Sequence, residues 1–141
     1  HTGTGETLAD ARRPVLIERD GVRIALLSYE GRAHYYFATP TTAGVAPLEE
    51  EALRNDVGAA LELADHVVVA FSHGKEHVTT TLRGQDEAVR IAIDAGASLV
   101  VGNHPHAIQR LIQSRGAVVA FAIGNFVFDQ SRRRTSTANP R

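Results

Sequence analysis

Between residues 48 and 102 the chain alternates helical and strand periodicity, and this alternation restricts its fold more than any other feature. LEEEALRNDVGAALELA (48–64) places Leu53, Val57, Ala60, Leu61 and Ala64 at helical spacing, with acids in its first turn. HVVVAF (66–71) reads as a buried strand. GQDEAVRIAIDAG (84–96) returns to helical spacing, with Gly96 at a plausible C′ position. SLVVG (98–102) is the next strand. Strands alternating with helices imply parallel pairing through right-handed crossovers.

The two ends read differently. PVLIER (14–19) and VRIALLSYE (22–30) are joined by Asp20-Gly21, a strong hairpin signal. AIQRLIQS (107–114) and AVVAFAIG (117–124) read as two more strands around Arg115-Gly116. The predicted fold is therefore α/β: a mixed sheet with antiparallel additions and flanking helices on at least one face. Residues 31–46 form a long turn-rich segment of the kind that is often functional. Its Tyr35, Tyr36 and Phe37 either line a substrate groove or pack on one another.

Composition narrows the function. The last ten residues hold four arginines and no acid, which leaves 11 basic against 16 acidic groups over residues 1–131. That balance argues against nucleic acid as the main partner. It suits a cation site better. With no cysteine, disulfides, thiolate catalysis and Cys-ligated zinc are excluded. No apolar run is long enough to span a bilayer, and the first ten residues do not read as a signal peptide. The chain lacks an initiator Met and is expected to be a piece of a longer protein. The Arg-rich tail over 131–141 is expected to be disordered.

Two of the strands end in histidine. HVVVAFS leads to His73 in SHGKEH, and SLVVG leads through Asn103 to His104-Pro105-His106. In open α/β sheets, ligands collect beyond the C-terminal strand ends. If the strands are neighbours, three imidazoles converge there. Pro105 biases His104 toward an extended conformation, in which residues i and i+2 point the same way. His73, His104 and His106 are thus candidate ligands for a borderline cation such as Mn, Fe, Zn or Co. HGKEH (73–77) offers a rival, the inverted zincin pattern of a mononuclear zinc hydrolase. That needs a helix, which Gly74 and the β-branched run after it disfavour. His1, His34, His66 and His77 read as structural. No nucleophile elbow or phosphate-cradling loop is present, which argues against a serine hydrolase or an NTPase.

SHGKEH, Gln85, GNHPH (102–106) and IGNF (123–126) resemble, in order and spacing, the signatures of the poly-γ-glutamate capsule-synthesis family. These are CapA-like proteins of the calcineurin-like metallophosphoesterase superfamily. The resemblance covers residues 1–130, although Ser72-His73-Gly74 lacks the family's Trp. It implies the C-terminal half of an αββα sandwich with a two-metal site of Mn, Fe or Zn. His73 and His104 would share one ion and His106 would hold the other. Two such ions would activate water and clamp the oxygens of a displacement. Glu76 would stand behind the ligands or be the catalytic proton-transfer group, and Asn103, Gln85 and Asn125 would stand behind the ligands or contact substrate. Glu76 also reads as a plain solvated carboxylate, Gln85 as helix-start structure and Asn125 as a turn residue.

By the resemblance, the family's aspartate, asparagine and catalytic-histidine motifs are expected upstream of this chain's first residue. A complete dinuclear site is therefore not expected from these residues alone, nor is activity. The implied role is a hydrolase of capsule metabolism at the cell envelope or outside the cell, acting on a phosphoester or amide, with an anionic polymer as a possible substrate. The alternative is a non-catalytic scaffold of a capsule-polymer machine. Half a sandwich leaves a sheet face and edges uncovered, so self-association or pairing with the missing half is expected.

Overall fold

The computed structural model describes residues 1–125. Phe126 of the IGNF string and the expected tail over 131–141 lie outside them. The elements in chain order are β1 (Thr4–Gly5), α1 (Leu8–Ala11), β2 (Val15–Arg19), β3 (Val22–Glu30), β4 (Gly44–Val45), α2 (Glu50–Leu61), β5 (His66–Ser72), α3 (Arg83–Asp94), β6 (Leu99–Asn103), β7 (Leu111–Ser114) and β8 (Ala117–Ala120). Six strands form one mixed sheet in the order β2-β3-β5-β6-β8-β7, and β1 pairs with β4 apart from it.

The core follows from period-two alternation. Ala25, Leu27 and Tyr29 of β3, Val67, Val69 and Phe71 of β5, and Val100 of β6 are all buried. They face α2 and α3, which bury Leu53, Val57, Ala60, Val89, Ile91 and Ala92 in the same core. Each fully buried Val, Leu, Ile or Phe contributes roughly 1.5–3 kcal/mol. β3, β5, β6 and β8 run parallel, which helix crossovers make possible. The two hairpins are antiparallel. Their turns, Asp20-Gly21 and Arg115-Gly116, have positive φ at both residues, as a type I′ turn requires.

The opposite sheet face is apolar but uncovered among the described residues. It carries Ile17, Ile24, Leu26, Val68, Leu99 and Val118, of which Ile17 and Val118 are more than two-fifths exposed.

Several details differ from the sequence reading. α2 is shorter than 48–64. The strand expected over 107–114 begins only at Leu111, because Gln109 turns into the interior and Ile108 makes just an isolated bridge to Ile123. The segment 31–46 contains a 3-10 turn over His34–Tyr36 and the short β4. Tyr35 and Tyr36 are exposed, and they line a cleft with His1 and Glu6. α1 adds a short helix that the sequence patterns do not announce; Thr7 caps it by accepting from the Asp10 N–H at 3.2 Å. No helix among the described residues is long and apolar enough to cross a membrane.

Candidate functional site

Three parallel strands stop in register. Glu30 of β3 stands opposite Ser72 of β5, and Ser72 opposite Asn103 of β6. The chain therefore leaves the sheet at Gly31, His73 and His104 side by side. The Gly31 N–H donates to the Ser72 carbonyl at 2.9 Å, and the His73 N–H to the Asn103 carbonyl at 3.2 Å. The two histidine strings, some thirty residues apart in sequence, end as neighbours, as their strand patterns predict.

Two glycines fix the His73 ring. A Cβ on Gly31 would lie 2.6 Å from its Nδ1, and a Cβ on Gly84 would lie 2.8 Å from its Nε2. Glycine inside a helix costs about 1 kcal/mol relative to alanine, so Gly84 in the first turn of α3 is a concession to the imidazole it touches. A cleft of about 310 Å³ opens here, lined by Gly31, His73, Gly84, Glu50 and Glu87 among others.

Electrostatics keep the pair neutral. Burial pushes the His73 pKa below its ordinary value, helped by the Arg32 charge and by His104 and opposed by Glu30. Burial likewise lowers His104, helped by Arg32 and His106 and opposed by Glu76 and Glu30. Neutral imidazole is the ligand form. Nδ1 of His73 and Nε2 of His104 are both buried with no hydrogen-bond partner among the described residues. Such orphan atoms are uncommon, and each costs about 1–3 kcal/mol.

The expected extended backbone at His104 is not found. Asn103 still pairs with Ser72, so the chain must turn immediately after it. His104 does this at φ 96° and His106 at φ 54°. His77 in the facing loop has φ 59°. Non-glycine residues in this region store about 1–3 kcal/mol each and concentrate at functional sites.

The two loops are tied by the His77 N–H, which donates to the Pro105 carbonyl at 2.7 Å. The His77 and His106 rings stand 6.2 Å apart, as do those of His104 and His106. His77, read from sequence as structural, thus belongs to the histidine cluster. His106 Nδ1 lies 2.8 Å from Asn125 Oδ1, an acceptor, so that nitrogen carries the hydrogen.

His73 and His104 fit a borderline metal in chemistry, protonation and unfilled buried nitrogens. Among the described residues, however, no three His, Asp or Glu side chains stand close enough to hold an ion. His73 and His104 adjoin, and His106 is held apart by Asn125. Glu76 lies exposed in the turn after His73, within electrostatic reach of His104. The helix required by the zincin reading of HGKEH does not form. Residues 73–77 leave β5 in a turn, Gly74 takes φ 117°, and α3 begins only at Arg83.

Gln85 takes its place as interior structure. It is fully buried, and its Oε1 accepts from the Leu82 N–H at the start of α3. Its Nε2 donates to Gln109 Oε1 at 2.9 Å, and Gln109 Nε2 donates to the carbonyls of Val78 and Thr80. Gln109 escapes the sequence reading because a strand through 107–114 puts it among ordinary alternating residues. This buried amide pair fixes the loop from His73 to Leu82. Gln109→Leu should cost about 3 kcal/mol, because it strands the Gln85 amide and two carbonyls. Gln85→Leu/Gln109→Leu should cost clearly less than the sum of the single changes in denaturant titrations. Strict additivity would show that the two amides do not act as a unit.

Arg32 also escapes the sequence reading, since the aromatics of its loop carry the stronger signal. Its backbone N–H and that of Ala33 donate to Glu30 Oε1 at 2.7 and 3.2 Å. Its guanidinium donates through Nη1 to the Gly74 carbonyl.

The mixed α/β sheet with helices on one face and histidine-bearing loops at its parallel strand ends has counterparts among solved structures. A putative 5′-nucleotidase from Staphylococcus aureus superimposes with a TM-score of 0.59 at 15% identity, covering 86% of this chain and 26% of that one. A hypothetical protein from Thermus thermophilus gives 0.53 at 19% identity, over 79% and 38%. The bacterial capsule synthesis protein PGA_cap family model matches residues 1–130, and the chain belongs to that family. It is 35% identical to the PGA biosynthesis protein CapA of Bacillus subtilis, over 94% of this chain and 36% of that protein. It is 30% identical to the capsule biosynthesis protein CapA of Bacillus anthracis, over 96% and 34%. The chain thus spans about a third of the length of these relatives.

Proposed function

We propose that this chain supplies the histidine-bearing part of a metal-dependent hydrolase of capsule-polymer metabolism, acting at the cell envelope. The observation that carries this reading is the pair of buried imidazole nitrogens at adjacent strand ends, neutral and without a hydrogen-bond partner among the described residues. His73 and His104 would hold one divalent ion, Mn, Fe or Zn, and His106 a second. When bound, such ions polarise a phosphoryl or carbonyl oxygen and acidify water.

The chain's own residues prepare that site. Gly31 and Gly84 hold the His73 ring, and Asn125 sets the His106 tautomer, as partners behind metal ligands do. Glu76 is the proton-transfer candidate, because it is exposed and acts electrostatically on His104. Asn103, exposed at the end of β6, is available to substrate. The remaining donors would come from the other two-thirds of the parent protein, docked on the open apolar sheet face. The substrate would carry a phosphoester or amide, and the relatives' names point to a capsule polymer.

The scaffold reading draws on one observation, that no three-donor cluster forms among the described residues. Hydrolysis of a model phosphodiester and of a γ-linked glutamate oligomer by the full-length parent separates the two readings. We expect chelation to abolish turnover of one of them, Mn or Zn to restore it, and His104→Ala to remove it. Capsule assembly that is indifferent to His104→Ala would favour the scaffold.

A further inference from the structure

The cations of this chain are distributed unevenly. Residues 1–125 contain ten arginines and one lysine. Arg12, Arg13, Arg19, Arg23, Arg54, Arg90, Arg110 and Arg115 each pair with a carboxylate. Arg32, Lys75 and Arg83 have no carboxylate partner among the described residues. All three flank His73: Arg32 follows β3, Lys75 lies two residues beyond His73, and Arg83 adjoins the Gly84 that touches its ring.

No neighbouring acid forms an ion pair with the Arg32 guanidinium among the described residues. Glu30 accepts backbone N–H groups, Asp86 is held by Arg110, and Glu50 is held by Arg54. Glu76 and Glu87 lie nearby without a bond to the guanidinium. The Gly74 carbonyl tethers Arg32 through one donor, and four of its five N–H groups remain to be used. A lone cation here opposes the binding of metal by His73 and His104. The arrangement is self-consistent once an anion completes it.

We propose that Arg32 is a substrate-binding residue, whose fork takes an oxyanion, phosphate or carboxylate, beside His73 and His104. Lys75 and Arg83 add to the field that attracts it. This rests on the hydrolase reading for the identity of the ligand as substrate, but not for the binding itself.

The test is calorimetric titration of the full 141-residue chain with inorganic phosphate and, separately, γ-glutamyl-glutamate, with metal content measured on the same samples. Whichever probe binds identifies the source of the oxyanion. Arg32→Gln should weaken that binding about 10- to 100-fold, the range for a lost charge-assisted fork. Arg32→Lys should recover part of it, since charge remains without the planar fork. Arg115→Gln, in the hairpin turn at the far end of the sheet, removes the same charge and should change affinity less than about twofold. Circular dichroism checks that each variant folds.

Absence of binding for both probes would overturn the proposal, as would equal weakening by Arg115→Gln. Metal retained with Arg32-independent oxyanion binding would refute the Arg32 assignment alone. Metal absent with Arg32-dependent binding would support the Arg32 assignment independently of any metal.

Discussion

Gly102→Ala should destabilise the chain by about 3 kcal/mol or more, a large part of the roughly 5–15 kcal/mol that holds an ordinary domain together. A Cβ at Gly102 would lie 1.8 Å from the Phe121 carbonyl oxygen and 3.2 Å from Phe71 Cε2. The nearest obstacle is backbone, which cannot rotate aside as a side chain can. Either β6 or the segment after β8 must move, and β6 leads directly into Asn103 and His104. The variant should therefore lose affinity for metal as well as stability. Gly58→Ala is the matched control. It lies in α2 with nothing within 4 Å of its would-be Cβ, and it should stabilise by roughly 0.5–1 kcal/mol. Denaturant titrations read both. A loss below about 1 kcal/mol for Gly102→Ala would mean that the close packing of β6 on the Phe121 backbone is not a constraint.

His104→Gly should do the reverse in the metal-free chain, raising stability by about 1 kcal/mol. It relieves a φ of 96° that glycine adopts freely and removes an orphan buried nitrogen. Metal affinity should fall at least about 100-fold, since even residues behind the ligands change it 10- to 100-fold. The order of stability should then invert on adding Mn. At one hundred times its dissociation constant the ion stabilises the wild-type fold by about 2.7 kcal/mol and the variant hardly at all. Truncating an ordinary packed residue destabilises whether or not metal is present. If His104→Gly weakened the metal-free fold by about 2 kcal/mol or more, the strained histidine would be a packing element and not a functional one.

Much of this architecture is legible in the sequence, because it rests on local periodicity. VVVAF and LVVG have the apolar runs of doubly buried strands, and the helices between them leave parallel pairing as the short connection. That pairing alone brings His73 to His104. The Asp-Gly and Arg-Gly turns specify their hairpins through positive φ. Other features depend on contacts that no window of sequence contains. The β1–β4 pair joins residues about forty apart, and Gln109 is recognisable as interior only once Gln85 is opposite it. The backbone at His104 departs from expectation because the rule for residues before proline loses to the strand pairing of Asn103, which forces an immediate turn. Arg32 stands in plain view in the sequence, but what singles it out is the lack, among the described residues, of a carboxylate partner that eight of the nine other arginines in residues 1–125 have.

Elemental analysis of the chain after equilibration with Mn and Zn, beside His104→Ala/His106→Ala, tests the central claim most directly. Bound metal approaching roughly one ion per chain in the intact protein, and lost from the double variant, is the predicted result. Equal metal in the intact protein and the double variant would contradict the assignment of these imidazoles as metal ligands.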